Sequence, residues 1–325
     1  MEHSEQQPAQ QTLAQQLRLL ETPRRVKASQ GVEWISQAWK IYRRNKVKWP
    51  AMFLVFLFIS ILAQRLGQGL YLLYLYVGIS SSQHSNTSFN IFSILFLLAA
   101  PLLLFLGTWI SMLFSGGIMY ACNRSAIYEE LKFSYLFAAF ATKKRAFFIL
   151  LLLYLAVTIV VGIAIISFMA AFKSGMITTE PNPAASPLIL LIPAVFIIFF
   201  ISLWMSIWFT PCLIMLHDVK PWAAMKMSFT ACLRNIPAGI VNILMWIVIY
   251  IGLIVGICII AGIAIGAFAL LFGETAPSFA GAGIVAFGTI AYIVMTLSAL
   301  ILAVLVIINI YTAYRNLLTD APLEN

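Results

Sequence analysis

The sequence predicts an all-α fold: a polytopic membrane helix bundle of about six transmembrane helices in three hairpins, each preceded by a cytoplasmic interfacial amphipathic helix. Three observations predict it. Of 325 residues, 62% are hydrophobic and 10% charged, with a mean hydropathy of +0.97, against roughly 45–50% apolar and 25% charged in soluble domains. Six continuous apolar stretches reach the roughly 20 residues that a helix needs to cross about 30 Å of hydrocarbon. Finally, a short segment recurs: "AWKIYRR" at 38–44, "AFATKKR" at 139–145 and "SFTACLR" at 228–234, each just before an apolar stretch.

The first 30 residues are polar and glutamine-rich and predict a cytoplasmic tail (1–30) with no signal-peptide pattern. Within it "TLAQQLRLLETPRRV" places Leu13, Leu17 and Leu20 on one face, suited to a cytoplasmic partner or to anionic lipid. A single transmembrane domain follows over 31–317, in three repeat units of about 31–128, 129–219 and 220–317, with a cytoplasmic tail at 318–325.

Each unit opens on an amphipathic helix with aromatics toward the bilayer and cations at the headgroups. In the first, Trp34, Ile35, Ala38, Trp39 and Tyr42 share a face that ends in Arg43 and Arg44. In the second, Phe133, Leu136, Phe137 and Phe140 recur at helical spacing before Lys143, Lys144 and Arg145. In the third, Trp222, Met225 and Phe229 repeat the face and Arg234 closes it. Asn45 and Asn235 suit the caps of the helices that follow, with Pro50 and Pro237 in their first turns. The middle unit has no such asparagine.

The apolar stretches lie near Trp49–Ile79, Ile91–Tyr120, Phe147–Ala171, Pro187–Leu216, Ile236–Phe272 and Ala280–Ile310. Their continuity excludes a β-barrel, whose strands alternate. The loops "GISSSQHSNTS" and "KSGMITTEPNPAAS" are too short for a further domain, and the triplet at Asn86 reads as a chance glycosylation pattern. Gly117 in "SGG", Pro193 and Pro211 are kink candidates. Gly252 with Gly256, and Gly262 with Gly266, form two GxxxG pairs on the fifth stretch, predicting close helix packing.

Charge sets the orientation. Nine Lys and Arg precede the first span, five lie in the second loop, three in the fourth and one after the sixth; the third loop holds one, and Arg65 lies toward the outer end of the first stretch. By the positive-inside rule both termini face the cytoplasm. The net charge of +9 is thus a topology signal that also favours anionic headgroups, with no nucleic-acid partner implied.

Polar chemistry inside the spans is sparse. Arg65 stands about 24 Å along a helix from Trp49, near the outer headgroups, where snorkelling explains it. Arg124, His217, Asp218 and Arg315 end spans on the cytoplasmic side and predict an ion-pair and capping cluster, with Asp218 facing an arginine such as Arg124 or Arg315. Glu129 and Glu130 begin the second interfacial helix, where its dipole favours anions. Cys122, Cys212, Cys232 and Cys258 lack CxxC spacing and read as structural thiols. With no phosphate loop, HExxH or GxSxG, nothing in the sequence argues for an enzyme, a metal or a cofactor.

"GVEWISQAWKIYRRN" and "TPCLIMLHDVKPWAAMKMSFTACLRN" resemble signatures of uncharacterised bacterial inner-membrane proteins that are similar to the membrane domain of glycerophosphoryl diester phosphodiesterases. The resemblance covers about Gly31–Leu317. It implies a six-span bundle in a bacterial inner membrane and an association with lipid chemistry. It carries over no catalytic residue, because the soluble phosphodiesterase domain is absent.

The sequence therefore predicts a non-enzymatic inner-membrane protein that organises or handles lipid or a membrane complex. Trp34, Trp39, Arg43, Arg44, Phe140, Lys143, Lys144, Arg145, Trp222 and Arg234 would be its lipid anchors. The alternatives are a transporter or channel for a small, weakly polar solute, and an accessory subunit bound to a protein partner or to a second copy of itself.

Overall fold

In hydrocarbon a backbone must satisfy its own polar groups, and the apolar runs of this chain do so as helices. The structure, a computed structural model, describes residues 17–82, 91–173, 186–272 and 277–320. Leu13, Asn86 and most of the two outer-loop stretches lie outside the described residues. In chain order the helices are α1 (Gln30–Arg44), α2 (Lys48–Ser82), α3 (Ile91–Tyr128), a 3₁₀ turn (Phe133–Phe137) leading into α4 (Ala138–Thr142), α5 (Lys144–Lys173), α6 (Ser186–Trp208), α7 (Thr210–His217), α8 (Pro221–Arg234), α9 (Ile236–Phe272) and α10 (Pro277–Leu318).

Six stretches are long and apolar enough to cross a membrane: Lys48–Arg65, Pro101–Tyr128, Lys144–Ser167, Ala194–His217, Ile236–Phe272 and Gly281–Leu318. The protein is a multi-pass α-helical membrane protein. Its fifth stretch is one uninterrupted helix of 37 residues, about 55 Å long. The described residues divide between two compact units, one in Met1–Pro50 with Arg234–Asn325 and the other in Ala51–Leu233.

In the Ala51–Leu233 unit, α3 is the surface on which the 3₁₀ turn, α4, α5 and α7 pack. Gly116 and Gly117 make that possible. The helix continues without interruption through the "SGG" positions, and the Leu136 carbonyl occupies the space that a Cβ on Gly117 would need, while the Phe147 ring does the same at Gly116. The glycine pair, a kink candidate in the sequence, also serves as a seat, for the Leu136 backbone at Gly117 and the Phe147 ring at Gly116. Around it Phe114 meets Phe140 with ring centroids 4.9 Å apart and Phe137 at 5.5 Å, both edge to face.

The fourth span breaks at Phe209, between α6 and α7. A regular helix would bond the Phe209 N–H to the Met205 carbonyl. Here the Ser228 hydroxyl, from α8, stands between them: it accepts from Phe209 N at 3.0 Å and donates to Met205 O at 2.7 Å. Pro211, in the first turn of α7, carries no N–H to restore the ladder. A side chain inserted into the i→i−4 ladder is a recognised cause of a kink. The Pro211 expectation therefore gains a partner that the sequence did not point to.

Candidate anion-binding site

The first helix is held in the Met1–Pro50 and Arg234–Asn325 unit by close approach and polar contacts. Gly31 sits so near α9 that a Cβ there would overlap the Ala238 carbonyl and lie 2.9 Å from Asn242 N. That proximity lets Asn242 Nδ2 donate to Gly31 O at 2.7 Å. Asn242 and Asn309 also exchange amide hydrogen bonds, at 3.2 and 3.0 Å, joining α9 to α10. One and two turns further along α10, Thr312 Oγ1 donates to Trp34 O at 2.9 Å and Asn316 Nδ2 donates to Gln37 Oε1 at 2.7 Å. Thr312 and Asn316 thus bind α1 directly at residues 34 and 37, while Asn309 is joined to Gly31 through Asn242.

An extended segment ahead of α1 completes the attachment. Leu20 N and Arg24 N donate to the carbonyls of Leu318 and Leu317, at 2.9 and 2.8 Å. Those carbonyls belong to the last turn of α10, which has no intrahelical donors left for them. Asn235 grips the same segment by its side chain, accepting from Val26 N and donating to Arg24 O, both at 2.9 Å. Arg234 Nη1 donates to Pro23 O at 3.3 Å. Leu19 and Thr319 form an antiparallel bridge beyond. Asn235 was read as the cap of α9; its backbone carbonyl does accept from Gly239 N at 3.0 Å, but its side chain binds the strap.

With its inner face committed, α1 presents Lys40, Arg43 and Arg44 outward, at i, i+3 and i+4, positions whose Cβ atoms lie about 5–6 Å apart. The helix ends at Asn45, and the chain turns so that Lys46 joins them. Together Lys40, Arg43, Arg44 and Lys46 line an open groove of about 500 Å³. Tyr42 fixes the turn: its hydroxyl donates to Lys46 O at 3.3 Å and its ring stacks on Trp39 at 5.5 Å. Burial pushes the Tyr42 phenol above the usual tyrosine range, so it stays a donor. Beside the groove Trp39 is 45% and Val47 82% exposed. Five cations and no acid occupy 40–48.

The other sequence-predicted residues are placed as follows. Trp34 is 3% exposed and its indole N–H is buried without an acceptor among the described residues. It packs inward, so it reaches neither headgroup nor water and is not an anchor here. The buried face of α1 is Gly31, Trp34, Gln37, Ala38, Ile41 and Tyr42; Trp39 stands on the opposite side, beside the cations. The same reversal occurs in α8, where Pro221, Ala224, Met225, Ser228 and Ala231 are buried. Trp222 is 57% exposed and its ring lies 5.6 Å from Lys226 Nζ. Phe140 is half-buried on Phe114. Lys144 and Arg145 are exposed.

Asp218 pairs with Lys143, at 2.6 Å, rather than with an arginine. It ends α7 in the left-handed region, with φ 57°, which its short polar side chain tolerates. Arg124 instead bonds Tyr120, its Nε donating to the phenol oxygen at 2.9 Å, and lies over the Tyr128 ring at 5.0 Å. His217 is half-buried. Arg315 is buried, with Nη1 3.5 Å from the Tyr311 hydroxyl. At Gly252, Gly256, Gly262 and Gly266 an added Cβ would meet nothing within 4 Å, so among the described residues the GxxxG pairs are not packing seats. No cluster of three metal-ligating side chains occurs among the described residues.

No family model, curated protein or solved structure matches this chain in the three comparisons made.

Proposed function

We propose that this multi-pass membrane protein is a non-enzymatic protein of a bacterial inner membrane that organises or handles anionic lipid. Both termini face the cytoplasm in this reading, and the three hairpins each follow a helix lying at that surface. The single observation that carries it is the groove of Lys40, Arg43, Arg44 and Lys46, set beside the exposed Trp39. A cluster of cations attracts anionic headgroups by about 1 kcal/mol for each residue near the surface, and tryptophan favours the headgroup level of the bilayer. Trp39 and Trp222, each exposed and near lysine or arginine, are the aromatic anchors of this reading, with Lys144 and Arg145 adding charge. The resemblance to membrane domains of glycerophosphoryl diester phosphodiesterases belongs to the same proposal.

Ligand that binds only the folded state raises its stability by mass action. Phosphatidylglycerol added to delipidated protein in detergent is expected to raise the unfolding temperature more than phosphatidylcholine does, and Arg43→Gln with Arg44→Gln to remove the difference. Equal shifts from both lipids would overturn the reading.

A second reading has one observation in its favour. Gly252, Gly262 and Gly266 are exposed on α9 with open space beside them, a surface that admits a close-packed helix from a partner or a second copy. Crosslinking through Cys258, exposed on the same helix, would trap such a neighbour.

A further inference from the structure

The break in the fourth span has a fixed side and a free side. On α7, Thr210, Cys212 and Leu213 are fully buried, whereas on α6 Ile197, Ile198 and Trp204 are each more than half exposed. Between the two helices Phe209 stands at φ −103° and ψ −3°, about 40° from regular helical values in each angle. That is a small rotation for a backbone to make.

Ser228, which holds the break open, has a second partner within reach on its own helix. Helical hydroxyls bond to the carbonyl four residues back, and Ser202, Ser206, Thr210 and Thr230 all do so here, at 2.8, 2.9, 2.6 and 2.9 Å. Thr230 lies on α8 itself, two residues beyond Ser228. Ser228 instead reaches across to α6, where Cys232 Sγ joins it at the Met205 carbonyl, at 3.6 Å. Turning the Ser228 hydroxyl back to Ala224 O would free Phe209 N and Met205 O to bond each other. Either arrangement gives Phe209 N an acceptor, Met205 O a donor and the Ser228 hydroxyl an acceptor, so neither strands a polar group in a buried place. Pro211 keeps the continuous arrangement from winning outright, because its ring opposes a straight helix at Ile207.

We propose that the fourth span is a two-position joint with Ser228 as its pin. In one position Ser228 is inserted between Phe209 N and Met205 O. In the other, Phe209 N bonds Met205 O directly and Ser228 bonds Ala224 O. Because α7 is held in the core, the exchange moves α6. Ile198 lies about 16 Å along α6 from Phe209, and a change of about 20° in the kink carries it about 5 Å sideways. The joint needs no ligand and stands apart from the lipid reading above.

The test uses the full chain in nanodiscs of bacterial lipid extract, with nitroxide labels at Ile198→Cys on α6 and Leu152→Cys on α5, both exposed, and the exposed Cys258 changed to serine. Pulsed electron paramagnetic resonance reads the separation of the labels. The parent is expected to show two separations about 5 Å apart, the minor one at about 10% of the molecules. Ser228→Ala removes the pin and should leave a single separation, the one that is minor in the parent. Pro211→Ala restores an N–H and should enlarge the same minor population with Ser228 intact; if Ser228→Ala does not fold, this variant decides, and an unchanged minor population would overturn the joint. A single separation in the parent that Ser228→Ala leaves in place would assign the bend to Pro211 alone, and a single one that Ser228→Ala displaces would make Ser228 a fixed wedge. Either result would overturn the joint, as would two separations that both persist in Ser228→Ala.

Discussion

Asn242 and Asn309 face each other across α9 and α10 as a reciprocal amide pair, each donating to the other's oxygen. The second N–H of Asn242 reaches Gly31 O, so one side chain ties three helices together. Removing either asparagine strands the other in a buried place, a loss of about 1–2 kcal/mol. Asn242→Ala and Asn309→Ala are each expected to lower stability by that amount in a detergent unfolding titration. The double variant should lose less than the sum, because the second change strands nothing new. Strict additivity would show that the pair is not coupled.

Asn235 clamps the backbone of Arg24 and Val26. Asn235→Ala deletes both bonds, worth about 1–2 kcal/mol together, and frees the strap more often. Trypsin should then cut after Arg24 and Arg25 about tenfold faster, in proportion to the open population. An unchanged cleavage rate would mean that the α10 carbonyls hold the strap without Asn235.

Glycines separate into two kinds here. Gly31→Ala drives a methyl into the Ala238 carbonyl, which is backbone and yields little. It is expected to lower stability by about 1–3 kcal/mol, as overpacking does. Gly256→Ala meets open space and should leave stability level or slightly raised, since alanine is the better helix former. Thermal unfolding of the two variants side by side makes the comparison.

The six spans were legible because an apolar run of about 20 residues has few other outcomes. The facing of α1 was legible only in part: the aromatic pattern groups Trp39 with Trp34, Ala38 and Tyr42, whereas packing buries Gly31 and Ala38, small residues that admit a neighbour closely, and leaves Trp39 outside. Asn309, Thr312 and Asn316 did carry a signal, a polar stripe at i, i+3 and i+7 inside an apolar run. The strap carried none, since its bonds are made by backbone amides that any residue supplies. Lys40, Arg43 and Arg44 were visible as a charge run. The place of Lys46 beside them depends on a turn geometry that spacing does not encode.

Burial pushes the Cys232 thiol up to about 12, so the thiolate that reacts with alkylating agents is nearly absent at neutral pH. Iodoacetamide is expected to modify Cys232 at least about a hundredfold more slowly than an unfolded thiol at pH 8. Because the folded value is raised, the associated stability is complete below the unfolded thiol range, roughly 8.5, and is lost as pH climbs toward the folded value. Peptide mapping after timed alkylation reads the rate; modification as fast as in the unfolded chain would mean that the inner face of α8 opens readily.

The central claim is that the α1 cations hold anionic lipid. Native mass spectrometry of the protein released from nanodiscs of bacterial lipid extract, beside a Lys40→Gln, Arg43→Gln, Arg44→Gln and Lys46→Gln variant, tests it most directly. The account predicts retained anionic lipid on the parent and its loss from the variant, which stays folded but shows no lipid-dependent rise in unfolding temperature. Equal retention on both proteins would contradict it.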